Sequence, residues 1–365
     1  MAPVIKELEK YPDEITSLIC ATAQHREMLD QVLDVFDIRP DHDLDLMRPG
    51  QTLSQLTANI LTQLDQLMAR ERPDWVLLQG DTTTVMVASL VAYYHRVRVG
   101  HVEAGLRTSD KWQPYPEEIN RRLTDVLADL YFAPTEGSRQ NLLREGVAEQ
   151  AIVVTGNTVV DALQMTVRRL RQEDRRSSPW LSNGRRLILV TAHRRENFGE
   201  PLTHICHALA ELAARYPSQI QIVYPVHPNP NVLEPVRKML GGIRNITLTE
   251  PLSYYEFVRL MSEAYLILTD SGGLQEEAPS LGVPVLVLRE VTERPEGVAA
   301  GVVKVVGTDE RTIVEETAAL MENDLAYQRM AQAANLYGDG HASQRIVEAI
   351  RAVSSVLSRP GEGTR

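Results

Sequence analysis

Short apolar, β-branched runs alternate along the chain with amphipathic stretches, the pattern of βα units feeding a parallel sheet that is buried on both faces. In the first half the runs predict strands over residues 15–22, 75–79, 97–102, 130–134 and 151–155. Helical periods fill the intervals. Leu53, Leu56, Ile60, Leu64 and Leu67 recur at spacings of three and four, which lines one helix face with apolar side chains for packing on a sheet. Residues 171–186 lose the periodicity and gather charge, Ser, Pro and Gly, so they read as a linker. A second strand series follows at 187–191, 220–224, 246–249, 265–269, 283–288 and 302–306. The expected fold is α/β, two Rossmann-like doubly wound domains with a cleft between them. The N-terminal domain covers 1–170 and the C-terminal domain 187–340. A last helix over 341–358 is expected to pack back on the first domain, before a flexible tail at 359–365.

Composition narrows the function. At roughly 100 to 200 residues per domain, a length of 365 fits two domains, and 43% hydrophobic residues with 24% charged are enough for two cores. The formal charge of −11 is the wrong sign for a protein that binds nucleic acid or anionic lipid through its overall field, so an anionic ligand needs a local site. The two cysteines, Cys20 and Cys206, cannot make a disulfide framework or a zinc cluster, and no metal site is expected. No apolar run reaches the roughly 18 residues of a membrane span, and the start lacks a signal-peptide profile. Together these features place the protein in the cytoplasm.

Ligands of open parallel sheets bind beyond the carboxyl ends of the strands. Asp81 follows the second predicted strand and Glu103 the third. Taken alone, Asp81 suits a helix N-cap and Glu103 a strand-end salt bridge as well as catalysis. Glu117 and Glu118 open a helix, where acids also suit the macrodipole. In the second half, Asp270-Ser271-Gly272-Gly273 leads from a strand into a helical stretch, a turn that can cradle a diphosphate, and Glu277 lies about one turn further on, within reach of ribose hydroxyls. His193-Arg194-Arg195 follows another strand, and His227 a third. For these last residues the surface, capping and catalytic roles stay open.

Taken together the segments resemble the non-hydrolysing UDP-N-acetylglucosamine 2-epimerase family of bacteria, over essentially the whole chain. The segments are TAQHREMLDQVL at 22–33, GDTTT at 80–84, GHVEAGLRT at 100–108, PEEINR at 116–121, TAHRRENFG at 191–199, VYPVHPNP at 223–230, LTDSGGLQEEAPSLGVPVLVLR at 268–289, TERPEGV at 292–298 and YGDGHAS at 337–343, in family order. The resemblance implies a glycosyltransferase-B-like fold, a homodimer, no cofactor and a UDP-sugar substrate. It implies an acidic trio of Asp81, Glu103 and Glu117, with His193 on the leaving-group side. Substrate contacts fall on Leu252, Phe257, Ser271, Gly272, Gly273, Glu277 and Arg294, with Phe257 near the uracil; Arg194 and His227 are supporting candidates. The reaction implied is reversible conversion of UDP-N-acetylglucosamine to UDP-N-acetylmannosamine, a precursor for surface polysaccharide, by elimination of UDP to 2-acetamidoglucal and re-addition. Gln24 matches a regulatory position of relatives that a second substrate molecule activates. Glu27 and Gly50 stand where those relatives carry Gln and Arg, so strong activation is not expected.

One departure is large. Family members open with a strand and a GTRPE turn followed by KMAPV, whereas this sequence opens at Met1-Ala2-Pro3-Val4. The expectation is a start assigned at an internal methionine or a truncation, with a first strand and two cations lost. A catalytically impaired UDP-sugar-binding protein is therefore the alternative function. A glycosyltransferase-B-type transferase or a hydrolysing epimerase comes behind it.

Overall fold

A computed structural model describes residues 1–22, 26–48, 50–108, 110–173, 180, 184–292, 294–333 and 336–357. The chain divides into two compact units, Met1–Ala162 with Gly338–Arg365, and Leu163–Tyr337. The chain crosses between them inside the helix Thr158–Glu173 and again at 337/338. Much of 171–186, all of 358–365, and Gln24 lie outside the described residues.

The first unit holds a small parallel pair, β1 (Cys20–Ala21) and β2 (His42–Asp43), and a parallel sheet of β3 (Trp75–Gln79), β4 (Arg98–Val102), β5 (Leu130–Ala133) and β6 (Ile152–Val154), in that order. The strand predicted over 15–22 shrinks to two residues. Its described partner is itself two residues long, the backbone contacts reach only to the carbonyls of Ile19 and Thr22, and Leu18 stays 47% exposed. The helix Leu53–Glu71 buries Leu56, Ile60, Leu64 and Leu67 as its spacing predicts. Leu53 is the exception: it directly follows the capping residue Thr52, points away and is 42% exposed. The closing helix Ala342–Leu357 returns to this unit, where Ile346, Val347 and Ile350 pack with Val4, Leu8, Val102 and Phe132. Its start is anchored by Asp161, whose carboxylate accepts from the backbone nitrogens of Ala342 at 3.1 Å and Ser343 at 2.8 Å.

The second unit is a six-stranded parallel sheet made of β7 (Arg186–Thr191), β8 (Ile220–Pro225), β9 (Ile246–Thr249), β10 (Leu266–Thr269), β11 (Val285–Val287) and β12 (Val303–Val305). Alternate residues of β7 face opposite sides. Ile188 and Val190 join the cluster under the helix Glu200–Arg215, while Leu187 and Leu189 join the one under Tyr254–Glu263. Both faces are covered, which is why the strands read as continuous apolar runs. The order is β12-β11-β10-β7-β8-β9, so the winding reverses between β7 and β10. In such sheets the reversal opens a crevice beyond the carboxyl ends of the two central strands.

Candidate active site

In the first unit the register pairs Gln79 with Val102, so β3 and β4 end level and release Gly80-Asp81 and Glu103 side by side. An added Cβ on Gly80 would stand 3.9 Å from Glu103 Oε2. Glu103 adopts φ of +69°, a left-handed conformation uncommon outside glycine, held by hydrogen bonds from its own nitrogen and that of Ala104 to the Phe132 carbonyl. The Gln79 side-chain amide donates to Glu103 Oε2 at 3.4 Å and to Thr158 Oγ1 at 3.1 Å. Asp81 is not the cap of the following helix. Thr82 fills that role, accepting from the nitrogen of Val85. The Asp81 carboxylate instead accepts from the guanidinium of Arg121, and its carbonyl from Asn120 Nδ2 at 3.0 Å.

Both partners of Asp81 come from the helix Glu117–Leu127, which opens with the predicted acidic pair. The two acids of that pair part company. Glu118 is fully buried, where it takes the nitrogen of Thr108 at 3.0 Å and Arg122 Nε at 2.8 Å, a structural task. Glu117 is only half-buried at the helix start, one turn ahead of Arg121.

In the second unit β7 and β10 run in register from Ile188 and Leu266 to Thr191 and Thr269, whose hydroxyls meet at 2.6 Å. Beyond these ends lie Ala192-His193-Arg194 on one side of the winding reversal and Asp270-Ser271-Gly272-Gly273 on the other. Asp270 is fully buried. Its Oδ2 accepts from the backbone nitrogens of His193 and Arg194, each at 2.8 Å, and from Asn197 Nδ2 at 2.9 Å. Asp270 Oδ1 lies 3.5 Å from His193 Nδ1, and the His193 ring stacks on His227 with centroids 5.7 Å apart. Burial lowers the His193 pKa; Asp270 opposes that shift, and His227 and Arg194 add to it.

The helix after the glycine turn is shorter than its sequence suggests. It runs only from Leu274 to Glu277 before tightening into a 3-10 turn at Ala278–Leu281. Gly273 has helical dihedrals, and an added Cβ would stand 3.9 Å from its nearest neighbour, Ser271 Oγ. Glu277 is half-buried as a residue, but its carboxyl head is enclosed, and desolvation, with Glu276 adding, raises its pKa to about 7. Arg294 donates through Nε to Glu276. Leu252 and Phe257 flank the capping box of Tyr254–Glu263, in which Ser253 and Glu256 satisfy each other's backbone, and both pack against the core beneath that helix.

Two groupings therefore emerge, Asp81 and Glu103 in one unit, with Glu117 opening the helix that holds Asp81, and His193, Arg194, His227, Ser271–Gly273 and Glu277 with Arg294 in the other. Sequence reading passed over Gln79, Asn120, Arg121 and Asn197 and the buried carboxylate of Asp270, the groups that hold the candidates in place. The PEEINR segment was the one signal for Asn120 and Arg121. Nothing along the chain announces that Asp270 reaches residues more than seventy positions earlier.

Fold and site together define a two-domain α/β protein of the glycosyltransferase-B-like class, equipped to handle a nucleotide sugar. Residues 6–351 match the UDP-N-acetylglucosamine 2-epimerase family, and the chain belongs to it. The UDP-N-acetylglucosamine 2-epimerase of Salmonella typhimurium is 54% identical over 358 residues, covering 96% of this chain and 95% of that one. The crystal structure of the Neisseria meningitidis UDP-GlcNAc 2-epimerase bound to UDP-GlcNAc superposes with a TM-score of 0.87 at 50% identity, over 96% of both chains. A Staphylococcus aureus relative solved with UDP gives a TM-score of 0.87 at 44% identity, over 100% of this chain and 96% of that one. No helix among the described residues is long and apolar enough to cross a membrane.

Proposed function

We propose that the protein interconverts UDP-N-acetylglucosamine and UDP-N-acetylmannosamine by elimination and re-addition of UDP. The observation that carries this reading is the pair Asp81 and Glu103 on level, adjacent strand ends, in a chain of this family. Carbon 2 of the sugar is not alpha to a carbonyl, so its proton is not acidic in the ground state. Stretching the bond from carbon 1 to the phosphate oxygen builds oxocarbenium character, which acidifies that proton. One carboxylate takes it, the electron pair forms the ring double bond of 2-acetamidoglucal, and UDP leaves with the bonding pair. Return of UDP to carbon 1, with protonation of carbon 2 from the opposite face, completes the inversion. A base on one face and an acid on the other account for more than one carboxyl group, and neighbouring carboxylates split their affinities for protons. No hydride moves, so no nicotinamide is required.

Charge on the departing diphosphate falls to the second unit, where His193, the Ser271–Gly273 turn and Arg294 supply donors to it. Glu277 takes the ribose hydroxyls, Phe257 lies near the uracil, and Leu252 is a further contact of the UDP-sugar. The reading assigns the protein to the cytoplasm, making a precursor for surface polysaccharide. Running the reaction in deuterated water tests it. One deuterium at carbon 2 of recovered substrate and product is expected, and epimerisation without solvent exchange would rule the mechanism out.

The same reading includes a homodimer. On the helix Glu117–Leu127 the apolar residues Ile119, Leu123 and Val126 recur at helical spacing yet are 39%, 45% and 78% exposed. On the neighbouring helix Thr83–Tyr94, Tyr93 and Tyr94 are 62% and 60% exposed. A patch of this kind on a helix pair suits a second copy of the chain.

A further inference from the structure

Outside the groups given roles above, the most complete buried polar cluster centres on His101. This residue lies on β4, two positions before Glu103, and is fully buried. Its Nε2 stands 2.8 Å from the carbonyl oxygen of Gly80, and its Nδ1 stands 2.5 Å from Asp125 Oδ1. A carbonyl only accepts, so Nε2 carries a proton. Asp125 is 4% exposed, and its other oxygen accepts from Arg107 Nη2 at 2.7 Å and from the nitrogen of Gly105 at 3.4 Å. Burial pushes the Asp125 carboxyl up, but the His101 hydrogen bond and the charges of His101 and Arg107 outweigh it and hold the group below the usual carboxylate range. With the Arg107 guanidinium on its other oxygen, Asp125 faces the ring as a carboxylate acceptor too, and the ring donates from both nitrogens. Among the described residues, Glu145 shares Arg107 at 2.6 Å, and the Tyr131 hydroxyl donates to the Asp125 carbonyl at 2.7 Å.

The placement matters because Asp125 follows Arg121 by one turn on the same helix. That helix meets the turn after β3 at three points: Arg121 on the Asp81 carboxylate, Asn120 on the Asp81 carbonyl, and Asp125, through His101, on the Gly80 carbonyl. The nitrogen of Gly80 is held as well, donating to the Val102 carbonyl at 3.0 Å, with φ at +83°. Both ends of the residue that launches Asp81 are thus fixed, one of them by a ring whose own orientation is set by a buried anion.

We propose that His101, donating from both ring nitrogens, is a positioning residue that works with Asp125 to fix the Gly80–Asp81 peptide and so aims the Asp81 carboxylate for proton transfer. The inference rests on Asp81 being the acid or base of the epimerisation. His101→Gln keeps a donor for the Gly80 carbonyl but turns an amide oxygen toward Asp125, setting acceptor against acceptor. Adding Asp125→Asn supplies a donor to that amide and leaves an oxygen for Arg107.

Three measurements on the full chain decide it. In ¹⁵N-histidine spectra the His101 ring shows a proton on both nitrogens; a single protonated nitrogen overturns the proposal. Misplacement of a reacting group by about 1 Å costs on the order of a hundredfold, so His101→Gln lowers kcat by about ten- to a hundredfold with UDP affinity unchanged, and the double variant recovers most of it. Equal loss in UDP affinity, or a folded double variant that recovers nothing, overturns it. In an Asp81→Asn background His101→Gln adds no further loss, whereas an additive loss shows that it does not act through Asp81. Normal carbon 2 exchange in the wild type with an unaffected variant removes this proposal alone, while absence of exchange in the wild type removes the reading of Asp81 and this proposal with it.

Discussion

Asp270 holds His193 through its backbone and faces its ring: one carboxylate oxygen accepts from the His193 nitrogen at 2.8 Å and the other stands 3.5 Å from Nδ1. The two residues sit at the ends of β10 and β7, the strands between which the winding of the second sheet reverses. The buried carboxylate sets the loop and faces one ring nitrogen. Asp270→Asn keeps the shape and removes the charge. The opposing influence on the His193 ring is then lost, so its pKa falls further, as an NMR titration will show. Charge-assisted hydrogen bonds contribute roughly 1.5 to 3 kcal/mol, so a lower Tm and at least a tenfold fall in kcat are expected.

Asp81→Asn and Glu103→Gln preserve size and remove proton transfer. General acid or base catalysis contributes about 100- to 10,000-fold, so kcat should collapse by that order while calorimetric UDP affinity changes little. Near wild-type turnover in either variant would show that its carboxylate is not an acid or base.

Glu277 gives a signed pH dependence. Its folded pKa of about 7 exceeds the ordinary 4.5, so the folded protein holds a proton there that the unfolded chain has released. Stability from this group is complete below about 4.5 and declines as pH rises through about 7. UDP affinity runs the other way if the ionised carboxylate accepts the ribose hydroxyls, rising through the same interval. Glu277→Gln should flatten both profiles, measured by thermal unfolding and by calorimetry across that range.

The exposed stripe on the helix Glu117–Leu127 tests the dimer. Leu123→Lys places a charge in the apolar patch and should shift the protein to a monomer by light scattering, with its circular dichroism unchanged. A monomeric wild type would remove the dimer, and a variant that still dimerises would move the interface elsewhere.

The apolar runs that became β5, β7, β8, β10 and β11 were legible because a strand buried on both faces has to be largely apolar along its length, whatever its neighbours are. The carboxylates Asp81 and Glu103 were legible for a related reason: strand ends are where open parallel sheets bind ligands, and the family motifs lie there. Residues 15–22 show the limit, since an apolar run becomes a strand only where a partner supplies hydrogen bonds, and that partner is remote in sequence. Strand order is invisible for the same reason, and so is the reversal between β7 and β10 that brings His193 to Asp270. Tertiary structure alone decided which of two adjacent acids is buried as a structural group, Glu118, and which stays half-buried at the helix start, Glu117. It also decided that Asp81 is gripped by Arg121 instead of capping a helix. Local spacing governs which face of an element is apolar; which charged group meets which is settled by packing between elements, where burial makes an unpaired charge too costly to leave.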